Sequence, residues 1–171
     1  GSGKSTLTKL VQRLYSPEGG RLLVDGIDIS LIDAAQLRRQ VGVVLQENLL
    51  FNRSVRENIA IADPAAPIEA VMRVAQLAGA HAFISELPEG YDTILLPGGK
   101  NLPRNIISKI IFARCLASRP SLLAIEEPFD VLEKEDRARI AEMLTTIPHC
   151  TLVTVTDDPL MAAECERIII L

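Results

Sequence analysis

Apolar positions along the chain change their spacing several times, and each spacing predicts a helix or a strand. The first helix is predicted by apolar residues at i, i+3, i+4 and i+7: Leu7, Leu10, Val11 and Leu14. Short apolar runs typical of buried strands lie at residues 41–45, 121–125, 151–156 and 168–171. Helical patterns separate these runs, so we expect a mostly parallel sheet with right-handed crossovers.

A hairpin is predicted shortly after the first helix. The apolar runs 21–24 and 27–29 flank the dipeptide Asp25-Gly26. This dipeptide tolerates positive φ angles and is a strong signal for a tight turn between antiparallel strands. The chain therefore has a short antiparallel part near its N-terminus.

The region from about residue 53 to 118 has a helical pattern. Pro67 stands where a helix can begin, and Gly79 stands where it can end. A second helix contains Ile106 to Cys115 and ends before Pro120. Further helices are predicted at 133–144 and 158–165. We therefore expect an α/β fold with a separate helical subdomain.

The first six residues form the second half of a G-x-x-x-x-G-K-S/T phosphate-binding loop: Gly1, Ser2, Gly3, Lys4, Ser5 and Thr6. Glycines in such a loop let backbone N–H groups surround a polyphosphate, the lysine bridges the terminal phosphates, and the serine hydroxyl ligates Mg²⁺. The predicted helix adds the positive end of its dipole. A flexible Gly/Ser-rich start is the alternative interpretation.

Polar residues follow two of the predicted strands. Gln46 follows the run 41–45, and the adjacent pair Glu126-Glu127 follows the run 121–125. Ligands of open α/β sheets bind off the carboxyl ends of strands, so the Gln46 amide could reach a nucleotide or its metal. Of the two carboxylates, Glu126 could hold Mg²⁺ and Glu127 could orient or deprotonate an attacking water. Ordinary polar residues leaving a strand would give the same pattern.

Composition excludes several classes of function. The 171 residues are 48% apolar and carry a formal net charge of -4, which fits one globular domain. Basic residues are dispersed and aromatic residues are few, so we expect no nucleic-acid partner. The longest apolar stretch, 106–117, is interrupted by Lys109 and Arg114 and is too short to span a membrane. Three cysteines without C-x-x-C spacing suggest free thiols.

The ends of the sequence favour a fragment of a longer polypeptide. A phosphate loop follows a buried strand, and that strand and the first loop residues are missing here. The last residues form an apolar run that resembles an unfinished strand. We therefore expect residues 1–171 to be a partial domain, truncated at both ends.

These motifs together resemble the nucleotide-binding domain of ATP-binding cassette (ABC) transporters, over nearly the full chain. Residues 1–6 resemble the phosphate loop, and Gln46 within 44–48 resembles the Q-loop. Segments 51–59 and 87–93 are similar to exporter-type cassettes, particularly those of the RTX-toxin, type I secretion kind.

This resemblance implies a P-loop NTPase fold of the ABC ATPase kind, with ATP and Mg²⁺ as cofactors. It implies that Ser5, Gln46 and Glu126 ligate the metal and that Glu127 is the catalytic base. It also implies an upstream transmembrane domain, a second nucleotide-binding domain in a homodimer or heterodimer, and a place at the cytoplasmic face of the bacterial inner membrane.

The chain departs from the family pattern at the signature motif. Where the family has L-S-G-G-Q, the chain reads Leu102, Pro103, Arg104, Asn105 and Ile106. The family segment offers a serine hydroxyl, bare glycine backbone and a helix N-terminus to the γ-phosphate of the partner's nucleotide. Pro103 lacks an N–H, and Arg104 and Asn105 place side chains where bare backbone is needed. Arg104 could contact the phosphate itself.

Further departures lie at other motifs. Asp157 replaces the switch histidine, Glu126 replaces the family aspartate, and Pro97 replaces the glutamate ahead of the signature. The D-loop motif S-A-L-D reads Asp130, Val131, Leu132 and Glu133. An ionised aspartate cannot donate a hydrogen bond to the terminal phosphate and repels its charge.

We therefore expect a transport-associated cassette that binds Mg-ATP and hydrolyses it slowly or not at all. A working ATPase, in which Arg104 substitutes for the signature, is the first alternative. A decayed or truncated product without function and a cassette unconnected to transport are the others. The transported substrate cannot be predicted from these residues.

Overall fold

A computed structural model describes residues 4–45, 49–126 and 132–169, with the backbone alone for residues 4, 5 and 160. The α-helices of this part are α1 Lys4–Val11, α2 Ala34–Gln40, α3 Val55–Ile59, α4 Ile68–Leu77, α5 His81–Ser85, α6 Arg104–Ala117, α7 Lys134–Thr145 and α8 Pro159–Ala163. Its strands are β1 Leu23–Val24, β2 Ile27–Asp28, β3 Val41–Val44, β4 Leu122–Glu126 and β5 Thr151–Val155. Within these residues, no helix is long and apolar enough to cross a membrane.

The central sheet is parallel, with strand order β3, β4, β5. Val44 lies opposite Ile125, and Ile125 lies opposite Thr154. β4 is the middle strand, and its Leu123 and Ile125 are at most 1% exposed. Burial on both faces explains why this strand has a continuous apolar run rather than an alternating pattern. The predicted parallel sheet is confirmed.

The hairpin is also confirmed. β1 and β2 are antiparallel, with Val24 opposite Ile27. Asp25 and Gly26 have φ angles of 51° and 78°, the positive values that a two-residue turn of this hand requires. Behind the hairpin, Ile29 packs with buried residues of α1, α2 and β3 in a small second core.

α1 ends earlier than its apolar spacing predicts. The Arg13 N–H bonds the Leu10 carbonyl at 2.9 Å, and the Leu14 N–H bonds the Lys9 carbonyl at 3.0 Å. Arg13 has a φ of 53°, and together these features form a left-handed helix cap. The prediction that Leu14 continues the buried helix face is therefore wrong, because the cap turns the chain away and leaves Leu14 51% exposed.

The helical region contains α3, α4, α5 and α6, which pack around the main core. α6 is buried on most sides and includes Phe112 and Ile110, both 0% exposed. α3 begins with a capping box in which the Ser54 hydroxyl accepts the Glu57 N–H at 3.1 Å and a Glu57 carboxylate oxygen accepts the Ser54 N–H at 2.9 Å. The predicted helical subdomain is present.

The predicted strand over 168–171 is wrong for the residues of that run that the structure describes. Ile168 and Ile169 lie outside the strands and are 65% and 73% exposed. A strand needs a neighbour to satisfy its backbone N–H and C=O groups, and neither residue pairs with β5 or another described strand. An apolar run predicts burial only where the fold supplies that neighbour.

Replacing Gly42 of β3 by alanine should destabilise the fold by about 1–3 kcal/mol. The new Cβ would lie 2.9 Å from Pro120 Cγ and 3.0 Å from Leu123 Cδ1, so both neighbours would have to move. Urea unfolding measures the change. Gly19→Ala is the control, because no atom lies within 4 Å of its new Cβ. Equal losses in the two variants would contradict the prediction.

Cys115 should resist alkylation in the folded protein. Its thiol donates a hydrogen bond to the Val43 carbonyl at 3.0 Å, and burial raises its pKa to about 12. At pH 8 the thiolate fraction of such a group is roughly one in ten thousand. Mass spectrometry after iodoacetamide treatment should show modification of half-buried Cys150 and Cys165 before Cys115. Urea should remove the difference, and equal rates without urea would refute the assignment.

Candidate functional site

Within the described residues, two of the positions that the sequence singles out lie at the carboxyl end of the parallel sheet. Glu126 is the last residue of β4 and lies opposite Val155 of β5. Asp157 follows β5 by two residues and is exposed. Gln46 and Glu127, which follow β3 and β4, lie outside the described residues. Since neighbouring strands are about 4.8 Å apart, the segments that leave β3, β4 and β5 start at one edge.

The phosphate-loop residues stand at the start of α1. Lys4 and Ser5 are the first two residues of this helix, and Thr6 is exposed on its first turn. Gly1, Ser2 and Gly3 lie outside the described residues. α1 packs against β4, the central strand. The predicted loop therefore opens onto a helix N-terminus, which favours an anion.

At the signature position, the structure gives α6 an irregular start. Pro103 precedes the helix and forms no side-chain cap, and Arg104 is the exposed first residue. The Asn105 side-chain oxygen accepts the Ile106 N–H at 2.9 Å. The Pro103 carbonyl accepts the same N–H at 3.0 Å. The Ile106 N–H is therefore already occupied within the chain.

Arg114 holds the segment after the Q-loop against α6. Its guanidinium donates to the Leu49 carbonyl at 3.1 Å and to the Asn58 carbonyl at 2.9 Å. The cation also lies 5.0 Å from the centroid of the Phe51 ring. Burial lowers the pKa of the Arg114 guanidinium. Carbonyl oxygens of Leu49 and Asn58, rather than a carboxylate, accept these hydrogen bonds.

Asn58 completes this arrangement. It is 0% exposed, and its side-chain oxygen accepts both the Phe51 N–H and an Arg114 N–H at 2.8 Å. Its side-chain NH₂ donates to the carbonyls of Phe51 and Ser54 at 3.0 Å. Sequence reasoning missed Arg114 and Asn58 as organising residues. The available signal was a basic residue inside an otherwise apolar helix.

The segment after β5 is shaped by local hydrogen bonds. The Asp158 N–H donates to the Thr156 hydroxyl oxygen at 2.9 Å, and the Asp158 carbonyl accepts the Ala162 N–H of α8 at 3.0 Å. The Asp158 carboxylate binds Arg137 of α7 at 3.0 Å. Asp157 therefore lies between two anchored residues, at the position that the sequence assigns to the switch.

The chain matches the family model described as ABC transporter over residues 1–130. The chain belongs to the ABC transporter family. Its fold class, an ABC ATPase core with a parallel sheet, a small antiparallel sheet and helices, agrees with the prediction. Family membership implies the use of a nucleotide and Mg²⁺ in general.

Curated relatives of this cassette are named for toxin translocation. Three are 46% identical to it over 172 residues: the Toxin RTX-I translocation ATP-binding protein of Actinobacillus pleuropneumoniae, the Exotoxin translocation ATP-binding protein PaxB of Pasteurella aerogenes and the Leukotoxin translocation ATP-binding protein LktB of Mannheimia haemolytica. Each alignment covers 100% of the chain and 24% of the relative. The cassette therefore spans about a quarter of the length of these proteins.

A solved structure agrees with this assignment. The bacterial Atm1-family ABC exporter with ATP bound is 32% identical to the cassette, with a TM-score of 0.86. The match covers 91% of the cassette and 27% of that exporter chain. The fold described above is therefore similar to that of the matched part of a solved ABC exporter.

The donor chemistry of the candidate site fits a magnesium nucleotide. Hydroxyl, amide and carboxylate oxygens are the ligands that Mg²⁺ prefers, and Ser5, Gln46 and Glu126 would supply one of each. Glu126 is half-buried at the end of β4, where a carboxylate would remain accessible to a cation. A bound Mg²⁺ would neutralise charge on the phosphates.

Replacing Asn58 by alanine should cost about 2–4 kcal/mol of folding free energy, because it leaves several buried backbone groups and Arg114 without their partner. Urea unfolding of the two variants Asn58→Ala and Asn52→Ala measures this cost. Asn52 is exposed and is the matched control, with an expected change within about 0.5 kcal/mol. A loss at Asn58 no larger than that at Asn52 would contradict the assigned role.

Proposed function

We propose that this chain is the ATP-binding cassette of a membrane exporter that binds Mg-ATP at the phosphate loop and hydrolyses it slowly or not at all. Slow or absent hydrolysis is inferred mainly from Asp157, an exposed aspartate at the carboxyl edge of the sheet, beyond the end of β5.

Binding rests on the residues that hold the chain's own nucleotide. In this proposal the backbone of Gly1, Ser2, Gly3 and Thr6 surrounds the phosphates, and Lys4 bridges the terminal ones. Ser5, Gln46 and Glu126 hold Mg²⁺, and Glu127 is placed to orient water. All these residue types suit their roles. The start of α1 at Lys4 supports the proposal, because it gives the loop a helix N-terminus.

The first residue that slows ATP hydrolysis in this proposal is Asp157, at the switch position. A histidine at this position can donate a hydrogen bond to the terminal phosphate, whereas ionised Asp157 can only accept one. Like charges a few ångströms apart also repel. Glu126 adds a smaller effect, since its side chain is one methylene longer than the family aspartate. A displacement of about 1 Å near reacting groups can cost on the order of 10²-fold in rate.

Turnover is opposed again at the signature. Pro103 offers no N–H, and the Ile106 N–H is bonded to Asn105 and Pro103 within the chain. In a dimer of cassettes, the signature serves the nucleotide of the partner, while Glu126 and Asp157 serve the nucleotide of their own chain. A fully competent partner would therefore restore neither composite site completely.

The transport part follows from the relatives. Proteins named for toxin translocation align with the whole cassette and are about four times as long. We infer an accompanying transmembrane domain, a second cassette, and a place at the cytoplasmic face of the bacterial inner membrane. The exported substrate is not part of the proposal.

One observation favours a second function, a working ATPase. Arg104 is exposed as the first residue of α6, so a cation stands where the family presents bare backbone. An arginine can stabilise developing charge on a transferred phosphoryl group. In this alternative Arg104 replaces the signature, and Glu127 remains the base.

The test uses the full-length protein in detergent or lipid, with Mg-ATP. Calorimetry should detect binding by the unchanged protein, and Lys4→Ala should weaken it at least about tenfold, because a charge-assisted contact to phosphate is lost. Phosphate release should be slow and should rise about tenfold or more in Asp157→His, which restores a donor. Asp157→Ala removes the charge without adding a donor and is the control for removal of charge alone.

Three results would contradict the proposal. Brisk release of phosphate by the unchanged protein, lost in Glu127→Gln, would establish the second function. Absence of Mg-ATP binding by a folded full-length protein would favour a product without function. Absence of hydrophobic spans in the complete polypeptide, and of any membrane partner, would separate this cassette from transport.

A further inference from the structure

We propose that the first turn of α7 is a positioning device that holds the switch segment, residues 156–158, to the signature helix α6. The device consists of two ion pairs that use consecutive residues of α7: Lys109 with Asp136, and Arg137 with Asp158. We name it the α7 brace. The proposal depends on the proposed function only in the test that measures nucleotide binding.

The first pair fixes the start of α7 to α6. Lys109 lies in the middle of α6 and is 8% exposed, and its ammonium lies 2.5 Å from Asp136 Oδ2. The other oxygen of the same carboxylate, Oδ1, accepts a hydrogen bond from Arg139 at 2.9 Å. A buried ammonium without a counter-charge is strongly unfavourable. Burial of Lys109 therefore requires Asp136 to stay against α6.

The second pair fixes the switch segment to α7. Arg137 Nη1 lies 3.0 Å from Asp158 Oδ2, and the Asp158 side chain is 12% exposed. Asp158 also bonds Thr156 through its N–H and α8 through its carbonyl. Movement of the Asp158 carboxylate therefore moves the backbone around Asp157. Arg137 acts on Asp157 through Asp158, as a positioning residue.

The Arg137 contact has an unused donor. Its Nε is buried and has no hydrogen-bond partner within residues 4–45, 49–126 and 132–169. A guanidinium can bind a carboxylate through two N–H groups at once. Since the observed contact uses Nη1, a second arrangement is open in which the guanidinium turns and donates through Nε and Nη2 instead. A contact with two arrangements is what transmission of a conformational change requires.

The two pairs connect different parts of the cassette because residues 136 and 137 are neighbours on a helix. Consecutive helical residues point about 100° apart, so one faces α6 and the other faces the exit of β5. α6 begins at the signature position, which serves the partner's nucleotide in the proposed dimer. The switch segment serves the chain's own nucleotide. The brace therefore links the two composite sites mechanically.

Ion pairs that only add stability are the competing explanation. In that case each pair would act locally, and loss of Lys109 would loosen the whole fold or α6 alone. The brace instead predicts that a substitution in α6 changes hydrogen exchange in the segment that follows β5. The two explanations therefore differ in where an effect is measured.

The first test needs no nucleotide, so it stands even if the proposed function fails. Hydrogen exchange in the full-length protein should become at least about threefold faster over residues 156–163 in Lys109→Met, with α2 as the unchanged reference because α2 belongs to the separate small core. Lys109→Arg keeps the charge and should restore slow exchange. Lys134→Met, an exposed position of α7, is the matched control. Equal acceleration in α2, or none over 156–163, would overturn the brace.

The second test measures coupling through Mg-ATP affinity. Lys109→Met and Asp158→Asn belong to different pairs of the brace, and their combined effect on Kd should differ at least about threefold from the product of the single effects. Asp92→Asn removes the exposed ion pair with Arg56 and is the control partner, for which effects should multiply. Multiplying effects in both combinations would overturn the coupling. If the unchanged protein does not bind Mg-ATP, the proposed function is contradicted. The hydrogen-exchange measurement then tests the brace independently.

Discussion

Two cations of α6, buried Lys109 and half-buried Arg114, constrain much of this cassette. Burial of a whole apolar side chain such as Phe112 is worth about 1.5–3 kcal/mol but has no direction, so it allows a helix to rotate or slide. A buried cation without acceptors costs several kcal/mol, and its acceptors must lie at fixed places. Lys109 and Arg114 therefore decide how α6 sits among its neighbours.

Each cation organises a different neighbour. Arg114 donates hydrogen bonds to the carbonyls of Leu49 and Asn58. These bonds fix the positions of α3 and of the segment at Leu49. Lys109 forms an ion pair with Asp136 and so fixes the position of α7. α6 thus contacts both the segment that follows β3 along the chain and α7, which follows β4. The helix that starts at Arg104 is in this way tied to elements that follow two strands of the central sheet.

Periodicity and turn chemistry were sufficient to predict the sheet, the hairpin and the helical region. β4 is a continuous apolar run because it is buried on both faces, and Asp25-Gly26 accepts the positive φ angles of its turn. Element ends were less predictable. Arg13 adopts a left-handed cap that its residue type does not favour, so the early end of α1 had no signal in the sequence.

The site could be predicted as a set of positions but not as a set of contacts. Strand ends placed Glu126 and Asp157 at one edge, as the register of β4 and β5 shows. The contacts that join α6 to its neighbours link residues far apart in sequence, such as Arg114 and Asn58, which are separated by 56 positions. The sequence shows that a charged residue within an apolar helix is unusual. Which partner that residue contacts depends on how α6 packs in the fold.

The departures from the family pattern fall where the fold tolerates them. Pro103 precedes α6 with extended backbone angles that proline adopts readily, and Arg104 is an exposed first residue. Asp157 is exposed between two anchored neighbours. Substitutions at such positions usually change folding free energy by less than about 0.5 kcal/mol. Residues at these positions can therefore depart from the family pattern without loss of the scaffold.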